Sequence, residues 1–123
     1  MEFSIEFYES PSGTCPVQDF LEGLKASDPD DFAAVMAGTA KLRSRQYHSP
    51  PLSKPIGDGI FELRHVGRLN SRVLYFFAKG KRIILLHGVR NKARKITAKD
   101  RKVALDRKRD WHARFGNDTK NQF

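Results

Sequence analysis

A single cysteine, Cys15, stands in a chain of 123 residues. That excludes an internal disulfide and any site built from several thiolates, and it suits a reducing compartment. No apolar run approaches the about 20 residues that span a bilayer. The first residues alternate apolar and polar instead of running from a charged stretch into an apolar one, so no leader is expected and the chain reads as cytoplasmic. Glycine-rich phosphate loops and serine nucleophile elbows are missing. His48, His65 and His112 show no metal-ligand spacing with one another or with Cys15, so no metal and no cofactor is expected.

Acids are also scarce, but only in part of the chain. Residues 1–40 hold eight acids and one base, whereas residues 41–123 hold 22 bases and six acids. A net charge of +16 on the second part, within an overall +9, points to a face for a polyanion. Nothing combines that charge with the wide apolar face of a membrane-surface helix, so nucleic acid is the expected target and a membrane is not.

What is plentiful is apolar. Nine Phe and 39% hydrophobic residues are enough for a buried core, and the length corresponds to one domain, expected over 1–116 with a mobile tail at 117–123. Phe3, Ile5 and Phe7 alternate with polar residues as in a half-buried strand. Val17, Phe20, Leu21 and Leu24 have helical spacing, with Thr14 as the available cap and Pro16 in the first turn. Asp28-Pro29-Asp30-Asp31 opens a second helix expected to reach about Arg45. Residues 47–59 hold three prolines and two glycines and read as an extended connection with room for an edge strand. Three strands at 60–66, 71–78 and 82–89 follow on short turns, which make them antiparallel neighbours, and the last two are apolar on both faces and therefore central. Thr97-Ala98-Lys99-Asp100 resembles a capping box for a basic helix to about Phe115, docked through Ala104, Trp111 and Phe115. The expected class is α+β, a small antiparallel sheet flanked by helices in the order β-α-α-(β)-β-β-β-α.

CPVQDFLEGL at 15–24, GDGIFELRHVGRLNSRVLYFFAKGKRIILLHGVRNKARK at 57–95 and the basic helix after them resemble the RelE/HigB superfamily of toxins, and within it the phage-derived branch. The resemblance implies a RelE-like fold akin to small microbial ribonucleases. It also implies endonuclease action on mRNA on the ribosome, and a cognate antitoxin of helix-turn-helix type that blocks the toxin. The positions carried over are Arg64, Arg72, Lys92 and Lys95. The chain departs from the family at Val89, where an aromatic is usual, at Asn91, where a lysine is usual, and at Ile96-Thr97, where Thr-Pro is usual.

Cleaving RNA without a metal requires a proton acceptor for the 2′-hydroxyl, a donor for the leaving oxygen, and cations for the charge that builds on phosphorus. If Lys79-Gly80 forms a two-residue turn, Arg72 faces His87, Leu74 faces Leu85 and Phe76 faces Ile83. Arg64 faces Arg72 if the preceding turn is Gly67-Arg68-Leu69, whereas a four-residue turn puts His65 there. Arg64, Arg72, His87 and Lys92 are the expected catalytic group, with Arg72 replaceable at little cost to folding. The bland alternatives are cross-strand packing or an ion pair with Glu62 or an antitoxin carboxylate for the arginines, and a core position for His87. Lys54, Arg90, Arg94, Lys95 and Lys99 are the expected phosphate contacts. Lys92 and Lys95 suit phosphate contact better than proton transfer because an unperturbed lysine stays protonated near neutrality, though crowding by Arg90, Arg94 and Lys99 leaves a general-base role open. Tyr75 and Trp111 fit the core better than base stacking. Two other functions stay open: a ParE-like inhibitor of DNA gyrase, and a non-catalytic phage-derived nucleic-acid-binding protein.

Overall fold

Asp28 starts a helix as its sequence context demands, its side chain accepting a hydrogen bond from the Asp31 amide at 3.2 Å. In the computed structural model, which describes residues 2–64, 71–90 and 96–120, the chain runs β1 (Ser4–Phe7), α1 (Pro16–Ser27), α2 (Pro29–Lys41), a short 3₁₀ turn, β2 (Ser53–Gly57), β3 (Ile60–Arg64), β4 (Ser71–Ala78), β5 (Arg82–Arg90) and α3 (Ala98–Lys120). This is the expected α+β order, including the edge strand in the proline-rich connection. Thr14 does not cap α1. Its hydroxyl sits 2.6 Å from Ser10 Oγ, and Cys15 occupies the cap position. The second helix stops short of Arg45 because the backbone tightens into i→i+3 hydrogen bonds from Leu42 to Ser44, with Leu42 fully buried.

The five strands lie in the order β1-β5-β4-β3-β2. The expected antiparallel sheet is formed by β2 to β5, and at one edge β1 is added to it parallel to β5, Ile5 opposite Ile83 and Phe7 opposite Leu85. Alternation of side chains fixes which face of β1 is buried but not its direction, and two helices separate it from its partner. The sheet is therefore mixed, with β4 and β5 central as expected.

Each face of the sheet has its own core. Val17, Leu21, Leu24, Val35 and Leu42 of α1, α2 and the segment after them cover Leu63, Val73, Tyr75, Ile83 and Leu85. On the opposite face Ala104 and Trp111 of α3, joined by Tyr8, cover Ile60, Leu74, Phe76, Ile84 and Leu86. Tyr75 and Trp111 are thus core residues, not free stacking platforms. Phe115, expected in the docking stripe, is 43% exposed. The helix itself continues past it to Lys120.

The turn between β4 and β5 is one residue longer than expected. Gly80 and Lys81 both take positive φ, and Ala78 pairs with Arg82. A bulge after Leu85 then adds a second shift, so Leu74 faces His87 and Arg72 faces Val89, not His87. The Arg64–Arg72 pairing is as expected.

At Gly88 the constraint is space. A Cβ there would lie 2.3 Å from the Phe20 ring of α1. Gly88→Ala is expected to destabilise the protein by about 1–3 kcal/mol through overpacking, measured by urea denaturation. Adding Phe20→Leu should recover much of the loss.

Candidate functional site

The bulge in β5 decides which side chains meet. Strict alternation would send Leu86 toward α3 and His87 toward α1, but the extra residue turns both toward α3. His87 Nε2 donates to Asp100 Oδ1 at 2.9 Å, while Arg107 Nη1 donates to His87 Nδ1 at 3.2 Å and to the Leu86 carbonyl at 2.9 Å. A guanidinium only donates and a carboxylate only accepts, so of the two tautomers these partners favour the one with its proton on Nε2. Asp100 also accepts from the Thr97 hydroxyl at 2.7 Å, and its amide donates to that hydroxyl at 3.1 Å. The expected capping box is present, with the shorter Asp bonding the hydroxyl. Burial alone would raise the Asp100 carboxyl, but hydrogen bonds from His87 and Thr97 and the nearby charge of Lys99 hold it below its ordinary value. Burial pushes the Arg107 guanidinium down.

Register places Lys54, Glu62, Leu74 and His87 in one row across four strands. The next row holds Arg64, Arg72 and Val89. Glu62 is buried between the rows, its Oε1 3.2 Å from Arg72 Nε and 3.7 Å from Arg64 Nε. That oxygen has no hydrogen-bond partner among the described residues, so the attraction is by charge and not by aligned donors. Arg72 is only 6% exposed. Arg64 keeps 42% of its side chain in solvent. Arg72 is thus no interchangeable surface charge, because its loss would remove the nearest cation to the buried Glu62 carboxylate among the described residues.

Above this pair of rows opens a cleft of about 330 Å³ lined by Lys54, Ile56, Glu62, Arg64, Ile96 and Arg101. Arg101 reaches across from α3 and donates to the Ile56 carbonyl. Of the residues expected from sequence, the structure brings Lys54 and Arg64 to this cleft and sets Arg72 directly behind it. His87 sits across the sheet, two strand spacings or roughly 10 Å from Glu62. Arg90 does not join them. It lies on the opposite face, where it bonds Ser27 Oγ at 2.9 Å and Asp28 Oδ2 at 3.1 Å. Lys99 is exposed in the first turn of α3. Lys92, Arg94 and Lys95 lie outside the described residues.

Sequence reasoning missed Arg101, Asp100 and Arg107. The capping box places Asp100 and Arg101 in the first turn of α3, but only the docking of that helix against β2 and β5 gives them neighbours. Glu62 was visible as an ion-pair partner for the arginines, though not as part of the cleft wall.

The cleft, its basic rim and the helix that closes it lie within or beside residues 19–109, which match the family model described as phage-derived protein Gp49-like (DUF891). The chain belongs to the Gp49-like family. No curated protein matches it. In this Gp49-like protein the matched span starts within α1 and ends within α3, so it takes in Lys54, Glu62, Arg64, Arg72, His87 and Arg101. Among the described residues no helix is long and apolar enough to cross a membrane.

Arg72→Ala is expected to cost about 3–5 kcal/mol by stranding the buried Glu62, whereas Arg64→Ala, at a half-exposed side chain, should cost under about 1 kcal/mol. Equal losses in chemical denaturation would refute the assignment of Arg72 as Glu62's main partner. The lowered folded value at Asp100 stabilises the native state above its ordinary value of 3.8, and that contribution fades as pH falls below it. Asp100→Asn should therefore be less stable than the parent near neutrality, and the difference should shrink in acid.

Proposed function

We propose that this Gp49-like protein is the toxin of a toxin–antitoxin pair and cleaves mRNA on the ribosome without a metal. The observation that supports this best is the convergence of Lys54, Arg64 and Arg101 on one cleft whose wall includes the Glu62 carboxylate. Cations on three elements suit a phosphate. A guanidinium is the apt group at Arg64, since its planar fork can hold two phosphate oxygens as charge develops.

In this proposal the 2′-oxygen attacks the adjacent phosphorus, the bond to the 5′-oxygen breaks, and a cyclic phosphate forms. Among the described cleft residues Glu62 alone carries a carboxylate, so it takes the 2′-hydroxyl proton. The leaving oxygen is protonated by Lys92, because His87 is held between Asp100 and Arg107 outside the cleft lining. Arg72 acts from behind by fixing Glu62 and balancing its charge. The partner protein is a cognate antitoxin that covers the basic cleft, for which an acidic segment is the complementary chemistry.

Purified protein incubated with translating ribosomes, with mRNA ends mapped and a gyrase supercoiling assay alongside, tests the proposal. Cleavage is expected, and Arg64→Ala should slow it by about 10²–10³-fold at nearly unchanged melting temperature. Inhibition of supercoiling without mRNA cleavage would replace the proposal with the gyrase reading. With about five phosphate contacts, RNA affinity should also fall with salt at a log-log slope of roughly −3.5 to −4.5, and a slope near zero would exclude a phosphate-led interaction.

A further inference from the structure

Past Arg101, α3 leads away from the cleft toward a second concave surface. Arg101, Leu105, Lys108, His112 and Gly116 follow one another at intervals of three or four residues, which aligns them on a single stripe of α3. From Arg101 to Gly116 that stripe is about 22 Å long at the ordinary helical rise. It faces the turn between β2 and β3. Lys108 Nζ donates to the Asp58 carbonyl at 2.6 Å, and Arg101 donates to the Ile56 carbonyl. Gly59 of this turn takes φ +74°, a conformation that favours glycine, and lies next to the Lys108 ammonium.

Beyond this clasp lies a second groove, of about 660 Å³, lined by Asp58, Leu105, Lys108, Arg109, His112 and Ala113. Its walls combine apolar carbon with two cations and one carboxylate. Arg109 is exposed and makes no ion pair among the described residues. His112 is exposed, and its ring packs against Phe76 with centroids 5.2 Å apart. The ring, though not the residue as a whole, is partly screened from water where it meets Phe76, and this desolvation, with help from the charge of Lys108, lowers its pKa, so near neutrality the ring is an uncharged flat surface.

We propose that this second groove is a distal subsite for single-stranded RNA, holding the strand that continues out of the cleft, with a base against Leu105 and His112 and a phosphate at Arg109. The inference rests on the proposed RNA-directed function and adds where the strand runs. The groove and the basic cleft lie on either side of the clasp along α3, within reach of one strand crossing over it, and an apolar floor with a cationic rim is how sequence-tolerant single-strand binders meet bases and backbone. An acidic protein segment would match the rim but would leave the uncharged ring and the apolar floor without a partner.

Fluorescence anisotropy with labelled oligouridylates tests it. A trinucleotide should fill the cleft, and a nonanucleotide should bind about 10-fold more tightly, the usual order for one added base contact. Arg109→Glu and His112→Ala should each bring the nonanucleotide down to the trinucleotide's affinity while leaving trinucleotide binding unchanged. Circular dichroism would confirm that both variants fold, and Arg109→Glu, at an exposed position, keeps the test sound should His112→Ala not fold. Equal affinity of the two lengths, or a gain that survives both substitutions, would overturn the distal subsite and leave the cleft proposal standing. Binding of neither length would overturn both. A nonanucleotide with abasic residues in its outer half should lose most of the gain, and full retention would remove the base contact from the proposal.

Discussion

One extra residue in β5 governs the α3 side of the molecule. Because of the bulge after Leu85, two consecutive side chains point the same way, and they do different work. Leu86 enters the core beneath Ala104 and Trp111, while His87 meets the first turn of α3 through Asp100. Arg107 closes the arrangement by binding both the ring and the Leu86 carbonyl. The helix start is therefore pinned to the sheet by polar contacts on one side and by packing further along. Arg101 and Ile96 owe their place over β2 to that pinning, and the cleft owes them one of its walls.

The second constraint is electrostatic. Arg72 and Glu62 are nearly inaccessible, and a buried pair of this kind does little for stability by itself, since desolvation offsets much of the attraction. Its importance is geometric. With Glu62 drawn toward Arg72, the Arg64 side chain remains at the surface, one partly neutralised cation beside Lys54. The site thus has a buried inner layer and a half-exposed outer one.

The strands, their order along the chain, the two capped helices and the central position of β4 and β5 were legible in the sequence, because each follows from local periodicity, proline placement and capping chemistry. Register was less so. Counting from Lys79-Gly80 put Arg72 opposite His87, and two shifts, one at the turn and one at the bulge, moved it to Val89. Neither shift leaves a mark in hydropathy, since Leu85 and Leu86 look alike. The parallel attachment of β1 was equally hidden, because it depends on what two intervening helices allow. For the site, Arg64 and Lys54 could be named from charge and position on strands. Arg90 could not be told from them, since one step along a strand changes the face, and it ended on the other side with Ser27 and Asp28. Arg101 required knowing where α3 docks.

The division of charge along the chain becomes a division in space. Residues 1–40, with their surplus of acids, supply β1, α1 and nearly all of α2, and both of those helices lie on one face of the sheet. The basic helix lies on the other. The sheet therefore separates two opposed fields, giving the molecule a permanent dipole directed from one face of the sheet to the other. Near a polyanion such a body experiences a torque before it makes any contact, and it arrives with the cleft leading and the acidic helices turned away.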